Sequence, residues 1–297
     1  DFCLSRGLGD VYKRQLLCCP VCGESLTKVG DTLQCNSEHS FDIAREGYVN
    51  LLRKKVPGDT KEMLVARRNF LERGYYEALS TMINELVSTC LMLLGNRSWG
   101  NCPRAILDVG CGEGYYLGRL KHSLDKQLSR QDYCYLGLDV SKEAVRMAVK
   151  KYRDIDFVVA NTNERLVLAE NSVQVLLNIF APRNPSEFVR VVAPKGLLFV
   201  VIPSPKHLKS LRSTLRLLNI EENKKKRVVE QFADGFSLVN ASTIEYEVWL
   251  NSEEARNIVL MTPNYWHVSQ EKLDALEGRA PFRTEIGFMR LMFASKK

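Results

Sequence analysis

One short stretch of the sequence combines an acidic residue with three regularly spaced glycines. Asp108 ends an apolar run, and Gly110, Gly112 and Gly114 follow it at alternate positions. Such a run predicts a buried strand, a tight turn and the start of a helix. Glycine suits the turn because it adopts positive φ and lets a ligand approach the backbone closely. The stretch therefore predicts a loop that binds a nucleotide-type cofactor.

The glycine spacing discriminates among such cofactors. Dinucleotide-binding folds use G-x-G-x-x-G, whereas this loop reads D-x-G-x-G-x-G. The pattern resembles motif I of the class I S-adenosylmethionine-dependent methyltransferases. That resemblance implies that Asp108 and the glycine loop hold the methionine part of the cofactor. The alternative is a tight strand-to-helix turn that binds nothing.

A second group of residues has the chemistry of a metal site. Cys19 and Cys22 are followed by Cys35 and His39 in the spacing C-x2-C-x12-C-x3-H. Zn²⁺ prefers thiolates and imidazole, and four protein ligands leave no open position, so the spacing predicts a structural Cys₃His zinc site. Cys18 competes as a ligand, but only Cys19 leaves two residues before Cys22. The alternative is four buried side chains without metal.

The rest of the chain must supply a scaffold for these sites. The strand that ends at Asp108 is followed by predicted strands at 133–139, 155–160, 172–180 and 196–203. Strands that alternate with helical segments predict a parallel doubly wound sheet, with the ligand at the carboxyl ends of the strands. Late β-rich runs at 236–249 and 286–294 resemble the antiparallel sixth and seventh strands of class I methyltransferases.

Two helices are predicted before the glycine loop. One begins after a cap at Asp59 or Thr60 and runs to about Arg73, and the other spans 76–94. We therefore expect an α/β fold: a class I (Rossmann-like) methyltransferase doubly wound sheet with a small N-terminal zinc-binding module. The expected divisions are a non-native leader, the zinc module, a helical linker and the methyltransferase domain, over 1–15, 16–55, 56–100 and 101–297.

Polar residues follow two of the predicted strands. Asp139 ends one strand and is placed to accept both ribose hydroxyls of the cofactor; the alternative is an acid that caps the next helix, for which Ser141 is the predicted N-cap. Asn161 follows the next strand and is placed to contact the adenine edge.

Composition limits the classes of protein to consider. The 297 residues carry a net charge of +7, are 45% hydrophobic and include nine cysteines. No apolar run is long enough to span a membrane, and no secretory signal is visible, so we expect reduced cysteines and a cytoplasmic protein. Residues 204–227 hold eight basic and two acidic side chains. This run indicates either a polyanionic partner or a solvated helix face.

Several motifs together resemble one family. The zinc quartet, F-D-x-A-x-E-G-Y-V-N-L-L, P-G-D-x-x-E-M, A-R-R-x-F-L and D-V-G-C-G-E-G-Y-Y are similar to the RlmA family of large-subunit ribosomal RNA (guanine-N1-)-methyltransferases. The resemblance implies a 23S rRNA hairpin as substrate and S-adenosylmethionine contacts at Tyr76, Gly112, Glu113 and His207. It also implies a homodimer, and some relatives confer macrolide resistance.

Guanine N1 carries a proton at neutral pH, so methylation there needs a base or stabilisation of charge on O6. The sequence identifies no such base. The segment after the fourth strand, Asn178 to Pro182, lacks the N-P-P-Y motif of amino methylation. A paired guanine must be flipped out of its helix; Tyr265 and Trp266 are candidates to stack on it, although core packing is the stronger interpretation.

RNA contact is expected on two surfaces. One is the zinc module with Arg53, Lys54 and Lys55, and the other is the basic run from Lys206 to Arg227. Two alternatives remain open at this level. One is a small-molecule methyltransferase with a structural zinc module, and the other is an RNA-binding protein whose methyltransferase domain is not catalytic.

Overall fold

The computed structural model describes residues 16–94, 104–127, 133–276 and 281–297. The predicted leader at 1–15 and the predicted boundary between residues 100 and 101 lie outside the described residues. Within the described ranges the strands form one sheet of three and one sheet of eight.

The strands are β1 (Thr27–Val29), β2 (Thr32–Gln34), β3 (Ser40–Asp42), β4 (Val49–Asn50), β5 (Arg104–Val109), β6 (Tyr133–Asp139), β7 (Asp156–Val159), β8 (Val173–Ile179), β9 (Val192–Pro203), β10 (Phe236–Leu250) and β11 (Phe282–Ser295). The helices are α1 (Lys61–Glu72), α2 (Glu77–Leu94), α3 (Tyr115–Gln127), α4 (Lys142–Lys151), α5 (Pro185–Val191), α6 (Lys209–Leu215), α7 (Lys224–Phe232), α8 (Ser252–Leu260) and α9 (Gln270–Asp274), with a 3₁₀ helix at Pro263–Trp266.

The large sheet has the strand order β10-β11-β9-β8-β5-β6-β7-β4. Strands β4 to β9 pair in parallel, whereas β11 is antiparallel to both of its neighbours. This arrangement confirms the predicted doubly wound sheet and its late antiparallel pair. The order reverses at β5, so β5 and β8 carry crossovers that leave in opposite directions, and a crevice opens at their carboxyl ends.

The small sheet is antiparallel, in the order β1-β2-β3, and each strand has three residues. It is joined to the large sheet by backbone contacts. The N–H of Cys18 donates to the carbonyl of Val167 at 2.9 Å, and β4 pairs in parallel with β7. Sequence reasoning did not predict β4, because a two-residue strand has no detectable period.

Helices α1 and α2 pack into the same core as the sheet. Thr60 caps α1 by accepting a hydrogen bond from the N–H of Met63 at 3.2 Å, which confirms the predicted start of the helix. Phe70 and Leu79 are fully buried in the cluster that also contains Ile106 of β5. The segment between the zinc module and the glycine loop therefore forms one wall of the crevice. No helix among the described residues is long and apolar enough to cross a membrane.

Candidate active site and metal cluster

The three glycines between β5 and α3 all have positive φ, between +56° and +80°. Each also faces a different neighbour. A Cβ on Gly110 would overlap the Cβ of Ala181, and one on Gly114 would lie 2.9 Å from the ring of Phe157. At Gly112 the nearest atom is a guanidinium nitrogen of Arg67, 3.3 Å away. Glycine is thus required by conformation at all three positions, and by packing most strongly at Gly110.

Asp108 is buried beneath this loop, 2% exposed. Its Oδ1 atom has no hydrogen-bond partner among the described residues. Burial, with the negative charges of Asp139 and Glu113 nearby, raises the pKa of Asp108 to about 8. A buried carboxyl without a counter-charge favours the arrival of a cationic group, because a cation would stabilise its ionised form.

Asp139 is fixed to the glycine loop. One carboxylate oxygen accepts the N–H of Gly112 and the other accepts the N–H of Ser141, both at 2.8 Å. Burial raises the pKa of Asp139, and these two backbone donors oppose that shift. Helix α4 is capped by the Ser141 hydroxyl, which accepts from the N–H of Ala144, so the predicted N-cap is confirmed. Asp139 itself keeps free lone pairs at the crevice.

Arg67 is a residue of this site that sequence reasoning did not assign. Its guanidinium, on α1, pairs with Asp59, lies 4.0 Å from a carboxylate oxygen of Glu113 and donates to the carbonyl of Met261 at 3.3 Å. Burial raises the pKa of Glu113, and the positive charge of Arg67 opposes that rise. The signal was present in the sequence as A-R-R-x-F-L, but helical spacing alone does not distinguish an arginine in a crevice from one in solvent.

His207 and Tyr76 form a buried pair. The N–H of Gly287 donates to Nδ1 of His207 at 3.2 Å, so the ring proton lies on Nε2, which is 3.2 Å from the Tyr76 hydroxyl. His207 is the donor of that bond, and the phenol proton of Tyr76 is free to point elsewhere. Burial and the charge of Arg212 lower the pKa of His207 to about 3, so the ring is neutral. The structure therefore brings these two predicted residues together.

Asn161 lies two residues beyond β7. Its side chain accepts from the N–H of Asn163 and donates to Glu164, both at 3.0 Å. It lines a cavity of about 280 Å³ between the zinc module and the sheet, together with Arg53 and Arg165. Its carbonyl oxygen is thus already used within its own turn, and its contact with an adenine stays a prediction.

The turn after β8 was also missed as a site. Asn178 is fully buried and donates to the carbonyls of Val109 and Pro182 at 3.4 and 2.9 Å, which ties this turn to the end of β5. Phe180, within the turn, has φ of +55° and is 41% exposed. No short motif announces such a residue, because its backbone conformation and its neighbours are set by tertiary structure.

The predicted metal ligands lie together. The side-chain donor atoms of Cys19, Cys22, Cys35 and His39 are all within 4.8 Å of one another. The sulfur atoms of Cys22 and Cys35 are 3.6 Å apart, and Cys35 Sγ is 3.3 Å from His39 Nδ1. A tetrahedron with Zn–S bonds of about 2.3 Å has edges of roughly 3.7 Å, so this donor set fits Zn²⁺. Cys18 is outside the cluster.

The basic run is divided among several environments. Arg212 is buried and donates to the carbonyl of His207 at 2.9 Å, so it is a structural residue of the His207 turn. Lys206 pairs with Glu245 at 2.8 Å, and Arg227 pairs with Glu221 at 2.7 Å. Lys225 and Lys226 are exposed on α7. The wall predicted at residues 206–227 therefore reduces mainly to α7.

Of the two aromatic candidates for base stacking, Tyr265 is half-buried against the main core, as core packing predicts. Its hydroxyl donates to Glu62 at 3.1 Å. Trp266 is 63% exposed. Core packing therefore accounts for Tyr265 only.

Two family models match the chain. The model described as "RlmA, N-terminal", a zinc ribbon, matches residues 17–56, and a "Methyltransferase domain" model matches residues 106–196. The first covers the metal cluster and β4, and the second covers the crevice from β5 to the start of β9.

Full-length relatives carry one activity in their names. The 23S rRNA (guanine(748)-N(1))-methyltransferase of Streptomyces fradiae is 35% identical over 257 residues, which is 86% of this chain and 87% of the relative. A protein of Micromonospora griseorubida, described provisionally as a 23S rRNA (guanine-N(1)-)-methyltransferase, is 36% identical over 268 residues, 86% of this chain and 89% of that protein.

A solved structure supports the fold. Loganic acid methyltransferase with S-adenosylhomocysteine aligns with a TM-score of 0.51 at 12% identity, over 82% of this chain and 99% of the other. At that identity the similarity shows a shared methyltransferase fold and nothing about the acceptor.

Proposed function

The chain belongs to the RlmA-type family of 23S rRNA (guanine-N1-)-methyltransferases, and from this premise we infer that it transfers a methyl group from S-adenosylmethionine to N1 of a guanine in large-subunit ribosomal RNA. The observation that carries this function is the 35% identity to a 23S rRNA guanine-N1 methyltransferase over 86% of the chain. That match spans both the zinc ribbon and the methyltransferase domain, so it favours RNA over a small-molecule acceptor.

The crevice suits S-adenosylmethionine by its charge. The cofactor supplies an activated methyl group on a cationic sulfonium. We propose that Asp108, with its unpartnered buried oxygen, and Glu113 hold the cationic end of the cofactor.

We assign the remaining cofactor contacts by chemistry. Asp139 has lone pairs left for two vicinal hydroxyls after its two backbone bonds. The neutral His207–Tyr76 pair presents a phenol proton without adding charge. The predicted contact of Asn161 with the adenine completes the set.

The four-ligand cluster fits Zn²⁺ in a structural role, since all four coordination positions come from the protein. Hydrogen bonding by the backbone of Glu24 lowers the pKa of the Cys22 thiol to about 7, which favours the thiolate that the metal needs. The zinc would hold β1 to β3 in shape and present them beside the methyltransferase sheet.

Methyl transfer to guanine N1 requires alignment and the loss of a proton. A new N–C bond forms at N1 as the C–S bond breaks, and the N1 proton leaves to a base. The chain must hold N1 roughly 3 to 3.5 Å from the methyl carbon and exclude water. Strands β5 and β8 end side by side at the crevice, so this is where the acceptor has to arrive.

RNA recognition would involve both ends of the crevice. The zinc module and Arg53 border the cleft beside β7, and α7, which packs against β10 at the other end of the strand order, presents exposed lysines. Hairpin loops expose splayed bases and bring phosphates within reach of such residues. We also propose, from the family, a homodimer in the cytoplasm, which sedimentation and fractionation would test.

The acceptor class is tested by label transfer. Protein, [methyl-³H]S-adenosylmethionine and either protein-free 23S rRNA or a low-molecular-weight metabolite extract are incubated separately. We expect label in RNA only. Asp139→Asn should reduce the label, because an amide NH₂ donor replaces one of the two carboxylate oxygens that would accept from the cofactor hydroxyls. Label in the metabolite extract but not in RNA would establish the small-molecule alternative, and unlabelled RNA with normal cofactor binding would favour a non-catalytic scaffold.

A further inference from the structure

Phe180 combines two features that are unusual for phenylalanine. Its φ of +55° lies in the left-handed region, which bulky L residues rarely adopt, and 41% of its surface is exposed. Asn or Gly would adopt this conformation with less strain, so the backbone conformation does not explain the presence of phenylalanine. A strained and exposed aromatic residue points to a use for its ring at the surface.

The turn that carries Phe180 is rigidly placed beside the glycine loop. The N–H of Phe180 donates to the carbonyl of Val201 at 3.1 Å, which fixes the turn to β9. The next residue, Ala181, packs directly against Gly110. A Cβ added to Gly110 would overlap the Cβ of Ala181. Together with the Asn178 bonds to β5, these contacts hold Phe180 at the mouth of the crevice.

Other rings support Phe180 from within the protein. Its centroid lies 5.2 Å from that of Phe288, 6.3 Å from Tyr76 and 6.4 Å from Tyr116. The Tyr116 hydroxyl is buried and has no hydrogen-bond partner among the described residues. The surroundings thus offer an exposed apolar ring that is supported from within by other aromatic rings. The face of a planar base matches such a ring.

We propose that Phe180 is the platform on which the target guanine stacks once it has left its RNA helix. This proposal rests on the proposed function. A flipped base loses its stacking neighbours, and an aromatic side chain replaces part of that interaction. Phe180 qualifies by its position, because it is fixed against the loop that holds the methyl donor.

Two tryptophans are competing candidates among the described residues. Trp249 is 61% exposed near the end of the outermost strand β10, and Trp266 is 63% exposed in the 3₁₀ helix. Phe180 is joined to the glycine loop through its neighbour Ala181, which packs against Gly110. The segments that carry the two tryptophans supply none of the atoms nearest to the three loop glycines. The two tryptophans therefore provide a control and a competing test.

The experiment compares Phe180→Asn, Phe180→Tyr, Trp249→Leu and Trp266→Leu. Asn tolerates positive φ, so Phe180→Asn removes the ring without adding backbone strain. We expect it to lower kcat/KM for the hairpin RNA on the order of tenfold to a hundredfold, the loss of one stacked base. Cofactor affinity, measured by calorimetry, should stay within about twofold of wild type. Phe180→Tyr should retain most activity, and Trp249→Leu should behave as wild type.

A second readout depends on stacking directly. A hairpin with 2-aminopurine at the target position should emit more strongly with Phe180→Asn than with wild-type protein, since the ring quenches the stacked base. Unchanged kcat/KM in Phe180→Asn, a parallel loss of cofactor affinity, or a loss confined to Trp266→Leu would overturn the proposal. Wild-type protein that leaves every guanine N1 unmethylated would instead refute the proposed function. If Phe180→Asn fails to fold, unquenched 2-aminopurine in the wild-type complex decides against the platform.

Discussion

The crevice contains more acidic than basic side chains, so its charge favours a cationic ligand. The crevice holds two buried acids, Asp108 and Glu113, and a half-buried one, Asp139. The guanidinium of Arg67 interacts with Glu113 and Asp139. Of the three acids, Asp108 carries an oxygen without a partner among the described residues. Carboxyl groups this close together disfavour one another's ionisation, which raises their pKa values. A bound cation would favour their ionised forms and so release protons from them. The residue chemistry therefore favours a sulfonium donor with an amino group.

His207 gives a prediction at this scale, because its neutral form is built into the fold. Its folded-state pKa of about 3 is below the unfolded value near 6.5, so the unfolded chain binds the extra proton between these values. Stability due to neutral His207 is therefore full above pH 6.5 and falls as pH decreases. We expect the free energy of unfolding to fall, relative to His207→Gln, by roughly 1.4 kcal/mol per pH unit below about pH 6.

The measurement is urea unfolding of both proteins at several values between pH 7 and pH 5. Taking the difference between wild type and His207→Gln removes the contribution of the carboxyls that both share. A difference that does not vary with pH would show that His207 titrates alike in the folded and unfolded protein, so that burial does not hold the ring neutral.

Most elements of the large sheet follow from local sequence signals. Apolar runs that end in polar residues located β5 to β9, and Thr60 and Ser141 began their helices as expected. The strand β4 was missed because parallel pairing at an edge leaves no pattern in two residues. The start of β9 at Val192 was missed because helix α5 runs directly into it without an intervening turn. Phe180 and Arg67 were missed for another reason: their roles depend on which segments the fold brings beside them.

The zinc module offers a prediction at the scale of the element. Its strands have three residues each, too few to hold a sheet by packing alone, so the metal has to carry much of its stability. We expect Cys19→Ser to lose most of the bound zinc and to destabilise residues 17–56. Cys18→Ser is the matched control, since it removes the neighbouring thiol outside the cluster.

Zinc per chain is measured by plasma mass spectrometry, and local stability by hydrogen exchange of the module. Comparison of the two variants shows which of the two cysteines binds the metal. Loss of zinc from Cys18→Ser with retention in Cys19→Ser would reverse the ligand assignment.

At the scale of the whole molecule, the two proposed RNA surfaces lie on different parts of the chain. Arg53 borders the cleft beside β7, whereas α7 follows the β9 side of the sheet and packs against β10. An acceptor at the end of β5 and β8 lies between them in the strand order. A folded hairpin that contacts both surfaces would place its loop over the crevice.

Reversal of charge on α7 tests the second surface. Lys224→Glu, Lys225→Glu and Lys226→Glu combined should weaken binding to the hairpin and lower the salt slope by about 0.7 to 0.9 for each phosphate that the protein no longer neutralises. Cofactor affinity should not change. Lys126→Glu, Lys150→Glu and Lys151→Glu combined, at three exposed lysines outside α7, are the control for the same change in net charge. If affinity and salt slope stay at their wild-type values, α7 does not contact the RNA.

The most direct test of guanine-N1 methylation is primer extension through 23S rRNA after incubation with the protein and S-adenosylmethionine. A methyl group on N1 blocks Watson–Crick pairing and stops reverse transcriptase one nucleotide before the modified base. We expect one new stop at a guanine in a large-subunit hairpin, dependent on the cofactor and reduced in Asp139→Asn. Full-length extension with cofactor bound, or a stop at a base other than guanine, would contradict the assignment.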